Sequence, residues 1–254
     1  MKIFVLGHRG FIGSHLVRRL LAIGHTVKTD GILHWGETFD VVVNAAAKTH
    51  LNNIFDPDLI EANYILPAKV YQRSERIITL SSCSARHPES SPYAMSKKWA
   101  EHLSLQHPNS IALRIFNVYG AGASRGIVWW LLQQPDGAKI TVRGLDLIRD
   151  YVTVENVVDF IIKDALPAKR KVHPFNNKNL PLVPSSNCGI VDVGTKVGTS
   201  TMDLINLFQK ISGKIFDISV VEADKNDPVE MVAWNSRIEN PVLLEEGLKK
   251  LING

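Results

Sequence analysis

The sequence predicts an α/β protein built on a doubly wound parallel sheet, with a smaller mixed α/β lobe after it. Three observations point there. Short apolar runs alternate with helical patterns along the first half of the chain, the mark of a sheet covered on both faces. A glycine-rich turn joins the first run to the first helix. The 254 residues, 45% of them hydrophobic, can bury a substantial core, which favours one domain with an added lobe.

The elements follow in order. Ile3 to Leu6 is an apolar run fit for a strand buried on both faces. Gly7, Gly10 and Gly13 come next, in a G-x-x-G-x-x-G spacing. A helical pattern follows with Ile12, Leu16, Leu20 and Ile23 apolar, closed by Gly24. Thr26 to Thr29 reads as the second strand, with Asp30 at its end. A helix from about Asp58 to Gln72 contains Asn63 and Pro67, which predicts a kink. Arg76 to Leu80 is a strand feeding Ser81 and Ser82, Tyr93 to about Gln106 a helix, and Ile111 to Phe116 a further strand. Beyond Gly120 the pattern is mixed. Helices are expected at 127–133 and 154–165 and a strand at 140–143. The polar, proline-bearing stretch from Pro167 to Ser186 reads as a long loop. A strand at 190–193, a helix from Thr201 to Ile211 capped by Ser200 and a strand from Ile215 to Val221 complete the lobe.

Composition narrows the function classes. Cys83 and Cys188 have no metal-like spacing and fit a reducing, cytoplasmic setting without structural disulfides; no metal site is expected. No apolar stretch approaches the roughly 18 residues of a membrane span, and the opening run is too short for a signal peptide. The net charge of +4 is dispersed, with Lys169-Arg170-Lys171 the one tight basic cluster, so no nucleic-acid partner is expected.

The chemistry concentrates in two places. The glycine turn lies between a strand and a helix N-terminus, where free N–H groups and the dipole attract a pyrophosphate. Tyr93-Ala-Met-Ser-Lys97 places a tyrosine and a lysine one helical turn apart on one face, shortly after the strand end at Ser81-Ser82. The lysine charge favours phenolate, so a phenol of ordinary pKa near ~10 exchanges protons closer to neutrality. A strand-end hydroxyl can hold the substrate oxygen in line with it. A carbinol losing a hydride to a nicotinamide needs these groups.

Together these residues resemble the short-chain dehydrogenase/reductase superfamily, specifically its extended branch of NAD(P)-dependent nucleotide-sugar epimerases, dehydratases and reductases. Asp40-Val-Val-Val-Asn-Ala45-Ala46-Ala47 is similar to the strand whose end lies along the cofactor in that family. Leu113-Arg-Ile-Phe-Asn117-Val-Tyr-Gly120 matches its Arg-x-x-Asn-Val-Tyr-Gly signature, and Arg149-Asp150-Tyr151-Val-Thr-Val154 its Arg-Asp-aromatic-x-x-Val segment. Leu244 to Leu251 is similar to its closing helix. The resemblance implies a Rossmann-type NAD(P)-binding domain over residues 1–120. A substrate-binding lobe then covers 121–254, with Val154–Ala165 packing back on the first domain. Catalysis would fall to Ser82, Tyr93 and Lys97. Cofactor contacts would come from Gly7, Arg9, Gly10, Phe11, Ile12, Gly13, Asp30, Ala45, Ala46, Ala47, Asn63, Tyr93 and Lys97. Substrate contacts would come from Ser82, Cys83, Ser84, Tyr93, Asn117 and Arg149, the last on the nucleotide diphosphate. The implied partners are a nucleotide sugar, NAD or NADP, and a second copy in a homodimer.

Departures from the family matter equally. Between Asp30 and Val41 the relatives fit a further helix and strand, and Gly31 to Phe39 is too short for that crossover. Asp30 favours NAD through the ribose and Arg9 favours NADP through a 2′-phosphate; the two stay open. Cys83 and Ser84 stand where dehydratases carry an acidic pair, which argues against 4,6-dehydration. A one-residue slip at the strand end would make Ser81 catalytic and Cys83 an acid/base, as in GDP-fucose synthases, but their companion histidine is missing after Gly120. Trp129 and Trp130 suit sugar stacking, although helical periodicity sends at least one to the core. The expected activity is oxidation or reduction at C4 of a nucleotide-linked sugar, by a 4-epimerase or a 4-ketoreductase. The alternative from another class is a catalytically silent regulator or nucleic-acid-associated member that binds NAD(P). Intact Tyr93 and Lys97 favour the enzyme.

Overall fold

The computed structural model describes residues 1–29, 37–48, 57–107, 109–167 and 189–254. Asp30, Cys188, the Lys169–Lys171 cluster and most of the Pro167–Ser186 stretch lie outside the described residues. The chain divides into two compact units, Met1–Arg114 with Val158–Val191, and Ile115–Val157 with Asp192–Gly254.

In chain order the first elements are β1 (Lys2–Leu6), α1 (Phe11–Ala22), β2 (Thr26–Lys28) and β3 (Val41–Asn44). A single helical path follows: α2 (Pro57–Ile60), a π-helical turn at Glu61–Ile65, and α3 (Leu66–Tyr71). Next come β4 (Ile77–Ser82), 3-10 turns at Cys83–Arg86 and Pro88–Ser90, α4 (Pro92–Leu105) and β5 (Ser110–Ile115). They are followed by β6 (Asn117–Tyr119), α5 (Ile127–Gln133), β7 (Lys139–Arg143), β8 (Ile148–Thr153), α6 (Val154–Phe160) and a second π-helical turn at Ile161–Ala165. The chain closes with β9 (Ile190–Val193), β10 (Gly198–Ser200), α7 (Thr201–Ser212), β11 (Asp217–Val221), β12 (Glu230–Met231) and α8 (Leu244–Asn253).

The main sheet has six strands in the order β2-β1-β3-β4-β5-β9. The registers of β1 with β2, β1 with β3 and β3 with β4 are all parallel. All residues of β3 and β4 are buried, as expected for strands with both faces covered. The strand order reverses its progress at β1/β3, the topological switch point where doubly wound sheets bind ligands at the strand C-termini. Among the described residues β2 is the edge of this Rossmann-like sheet, in keeping with the short Lys28-to-Val41 segment. Phe4 and Phe39 pack with ring centroids 5.0 Å apart, in a cluster with Val42, Val70, Tyr71 and Ile77. Leu16 and Leu20 of α1 are fully buried, each stabilising the fold by about 1.5–3 kcal/mol.

The kink predicted at Asn63 and Pro67 takes a specific form. Pro67 has no N–H to offer the carbonyl one turn back, so the helix widens before it, and Leu66 N–H reaches Glu61 O. The expected helix from Val154 to Ala165 does the same ahead of Pro167, with Leu166 N–H on Ile161 O at 2.8 Å. Both π turns end two residues before a proline.

In the second unit β8 pairs antiparallel with β10 and parallel with β12 and β6, while β11 pairs parallel with β7. Its core joins Leu131, Ile140, Val142, Leu204, Ile205, Phe208 and Leu248. Ser200 caps α7, accepting from Asp203 N–H at 3.0 Å, and Gly213 ends it in a left-handed turn. Asp150 is fully buried and accepts from the N–H groups of Thr195 (2.8 Å), Lys196 (2.9 Å) and Ala233 (3.2 Å) and from Thr195 Oγ1 (2.7 Å). That carboxylate ties β8 to the segments on either side of it.

Candidate active site

The glycine turn is built as the spacing requires. Gly7 has φ +75°, and a Cβ there would come within 2.5 Å of Ala46 N. A Cβ on Gly13 would approach Gly7 O at 2.2 Å, so the start of α1 sits directly on the turn. Gly10 differs: its φ of −74° suits any residue, and a Cβ would meet only Gly7 O at 3.2 Å. Its outer side is open, beside the first N–H groups of α1, which have no intrahelical acceptors. No acidic residue stands in that first turn, and Arg9 is exposed beside it. The cradle fits a dinucleotide pyrophosphate.

The turn after β3 is fixed from beneath. Asn44, 2% exposed, donates from Nδ2 to Tyr71 Oη (2.8 Å) and accepts Ala46 N–H on Oδ1 (3.1 Å). Tyr71 in turn bonds Thr79 Oγ1 at 2.8 Å, and burial pushes its phenol up to about 12, so it remains a neutral donor. Asn44 thereby shapes the stretch Ala45–Ala47, a role that sequence reasoning missed; its one signal was a polar residue ending a buried valine run. Asn63 was expected to touch the cofactor. Its Oδ1 accepts Lys48 N–H (2.8 Å), and its Nδ2 donates to Ser96 Oγ (3.2 Å) and Lys48 O (3.4 Å). It braces this stretch against α4.

Ser91 caps α4, accepting Ala94 N–H at 3.1 Å, with Pro92 in its first turn. The helix presents Tyr93, half-buried, and Lys97, 7% exposed. Lys97 Nζ lies 5.9 Å from the Tyr93 ring centre and donates to Leu80 O at 2.9 Å. Burial lowers its pKa to about 8, against an opposing pull from Glu101. At the end of β4, Ser81 Oγ donates to Glu101 Oε1 at 2.8 Å. Ser82, on the opposite face of the strand, accepts Ser84 N–H at 3.2 Å and lies 3.3 Å from Ser84 Oγ. Cys83 is buried at the start of the following 3-10 turn. Ser82, Ser84, Tyr93 and Lys97 thus belong to one unit together with the glycine turn and Ala45–Ala47.

The second unit holds its own cavity of about 510 Å³, lined by Asn117, Arg125, Trp129, Trp130, Arg143, Arg149 and Tyr151, among others. Arg149 Nη1 donates to the carbonyls of Ile148 and Pro228, both at 2.9 Å, and Val229 at 3.3 Å. Asn117 Nδ2 reaches Asp150 O at 3.3 Å. Trp130 also packs on the core, and both tryptophans line the cavity. Arg125 and Arg143 join this lining without a signal in the sequence, since isolated surface arginines carry no pattern. Among the described residues no cluster of His, Cys, Asp and Glu is placed to hold a metal ion, and no helix is long and apolar enough to cross a membrane.

The chain is 20–22% identical to several solved structures, and the match spans its whole length. They include the UDP-glucuronic acid 4-epimerase of Bacillus cereus, in complex with UDP-glucuronic acid and NAD (TM-score 0.75, 21% identity, 100% of this chain and 98% of that one). Another is the UDP-glucose 4-epimerase of Thermus thermophilus in complex with NAD (TM-score 0.76, 22% identity, 100% of this chain and 98% of that one). At these identities the likeness is one of fold. A stretch of 86 residues is 37% identical to the probable GDP-L-fucose synthase 1 of Oryza sativa subsp. japonica, and it covers 27% of this chain and 26% of that one, about a quarter of the relative's length. Residues 3–30 and 33–176 match the model of the NAD dependent epimerase/dehydratase family. The chain belongs to the NAD dependent epimerase/dehydratase family.

Proposed function

We propose that this chain is an NAD(P)-dependent enzyme acting at C4 of a nucleotide-linked sugar, as a 4-epimerase or a 4-ketoreductase. The observation that carries the reading is the buried Lys97 ammonium 5.9 Å from the centre of the Tyr93 ring, one turn along the same helix. In this reading Tyr93 moves the proton at the C4 oxygen and Lys97 holds the phenol's pKa down. Ser82 holds the same oxygen in line. When bound, the nicotinamide supplies the two-electron acceptor or donor. Gly7, Gly10, Gly13 and the N–H groups of Phe11 and Ile12 would hold its pyrophosphate, with Ala45, Ala46 and Ala47 alongside. NAD is the cofactor to test first, since the solved relatives named above carry it. Arg9 keeps NADP in play. The first unit would then be the cofactor domain and the second the substrate lobe. There the Arg149 fork, with Arg125 and Arg143, suits a diphosphate and the tryptophans suit apolar sugar faces.

Ser81 bears on the alternative register. Its hydroxyl is engaged by Glu101, which disfavours the slip that would make Ser81 catalytic and Cys83 an acid/base. The test is a panel of UDP-, GDP- and dTDP-sugars and their 4-keto forms, run with both cofactors. It is read by absorbance of the reduced nicotinamide and by product mass and stereochemistry. Inversion at C4 without net cofactor use identifies an epimerase, and stoichiometric oxidation of reduced cofactor a reductase. Bound dinucleotide with no product anywhere on the panel would favour the silent binder instead.

A further inference from the structure

Tyr93, Lys97 and Glu101 stand four residues apart in turn on α4, so all three project from one helix face. The third takes no direct part in the proton and hydride chemistry. Glu101 is 1% exposed, and a carboxylate so buried needs partners. They arrive from three directions. Ser81 Oγ at the end of β4 donates to Oε1. Arg114 on β5 grips both oxygens, Nε to Oε1 at 2.7 Å and Nη2 to Oε2 at 2.9 Å. Lys98 Nζ lies 3.6 Å from Oε2. Lys97 meanwhile donates to the carbonyl of Leu80, the residue before Ser81. Two successive turns of α4 therefore hold adjacent residues of β4, immediately before Ser82. Because strand side chains alternate, fixing Ser81 toward Glu101 fixes Ser82 toward the other face.

We infer that Glu101, oriented by Arg114, is a positioning residue that seats Ser82 and sets a negative charge one helical turn from Lys97. The inference deepens the assignment of Ser82, Tyr93 and Lys97 given above and rests on it for its meaning, though not for its test. The charge balance at Lys97 involves every group around it. Tyr93 and Glu101 face it from its own helix, and Arg114 acts from β5 through Glu101. The 3-10 turns packed on α4 carry Cys83, Arg86, His87 and Glu89, and the adjoining π turn carries Glu61 and Tyr64. Of these Glu101 alone opposes the loss of charge that burial imposes on Lys97. The sign follows. Removing the carboxylate charge makes the ammonium easier to deprotonate, while loosening the guanidinium that offsets Glu101 makes it harder.

Direct titration of the Lys97 Nζ by ¹⁵N-edited NMR in the full chain tests this without requiring turnover. Glu101→Gln should lower the Lys97 midpoint by about one pH unit, and Glu101→Asp should bring it back toward wild type. Arg114→Lys keeps a positive charge but loses the two-pronged grip, and should raise the midpoint. A folded Glu101→Gln protein with an unmoved Lys97 midpoint overturns the inference. Should that variant fail to fold, an unmoved midpoint in Arg114→Lys does the same, since a merely structural ion pair would shift neither. If the midpoints move as described while the wild type converts no nucleotide sugar, the coupling stands and the proposed reaction fails.

Discussion

Ser81 Oγ donates to Glu101 Oε1 at 2.8 Å, and that contact aims the neighbouring hydroxyl of Ser82 to the other face of β4. The strand end offers three candidates in a row, Ser81, Ser82 and Cys83, and this bond selects among them. Ser82→Ala should reduce turnover by roughly 10–100-fold, the worth of a hydrogen bond to a developing charge. Ser81→Ala, which removes the contact that aims Ser82, should cost less than Ser82→Ala, and Cys83→Ala a few-fold at most. Steady-state rates of the three variants, each checked for folding, decide it; an inactive Cys83→Ala beside an active Ser82→Ala would restore the slipped register.

The pH dependence follows from the burial of Lys97. Its charged form supports the reaction, and its pKa lies near 8 rather than at the ordinary lysine value of 10.5. Activity should therefore hold below about pH 8 and decline as pH rises through that value, well before an exposed lysine would lose its charge. A kcat profile from about pH 6 to about pH 10 checks the limb. Full activity persisting to the alkaline end of that range would contradict the role given to the ammonium.

Much of this site was legible because its signals are local. Gly7, Gly10 and Gly13 sit within one turn, and Tyr93 and Lys97 within another, so spacing alone brings each set together. Glu101 was the hidden member. Its acid character on a buried helix face was visible, but its partners Ser81 and Arg114 come from two strands, and only tertiary pairing joins them. The partners of Asn44 and Asn63 were hidden for the same reason, since a buried amide declares them only in three dimensions. The side chain of Asn63 bonds Lys48 and Ser96, far from it in sequence. The strands β6, β8, β10 and β12 escaped periodicity because they are short and their pairing is set by neighbours, not by an apolar stripe. Proline was legible as a kink at Pro67, while the π turn that absorbs it was not.

The cradle should be closed by a side chain at Gly10. Since its backbone is ordinary, Gly10→Val acts through space, its Cβ crowding Gly7 O at 3.2 Å and its branches filling the open outer side. The expected outcome is loss of dinucleotide binding by calorimetry with an unchanged melting temperature. Arg9→Ala in the same assay should weaken NADPH by roughly 1.5–3 kcal/mol if the guanidinium meets a 2′-phosphate, and leave NADH unchanged. Asp30→Ala should weaken NADH selectively if the carboxylate holds the ribose. Equal affinities throughout would show that neither residue reads that end.

Arg149 should act on binding rather than chemistry. Its Nη1 is committed to the carbonyls of Ile148, Pro228 and Val229, and the residue lines the cavity. Arg149→Lys should raise KM for the nucleotide sugar about tenfold or more with kcat little changed, the mark of lost uniform binding. A fall in kcat with KM intact would place Arg149 at the reacting centre instead.

The central claim is that Tyr93, supported by Lys97, moves the proton at the reacting oxygen, and Tyr93→Phe tests it most directly. The substitution removes one hydroxyl from a half-buried side chain and leaves the helix, its Ser91 cap and the Lys97–Leu80 bond in place. The measurement is single-turnover conversion of the nucleotide sugar found on the panel, with cofactor binding measured on the same sample. The account predicts a rate lower by roughly 10²–10⁴-fold with cofactor affinity retained. A folded, cofactor-bound Tyr93→Phe protein that turns over at the wild-type rate would contradict it.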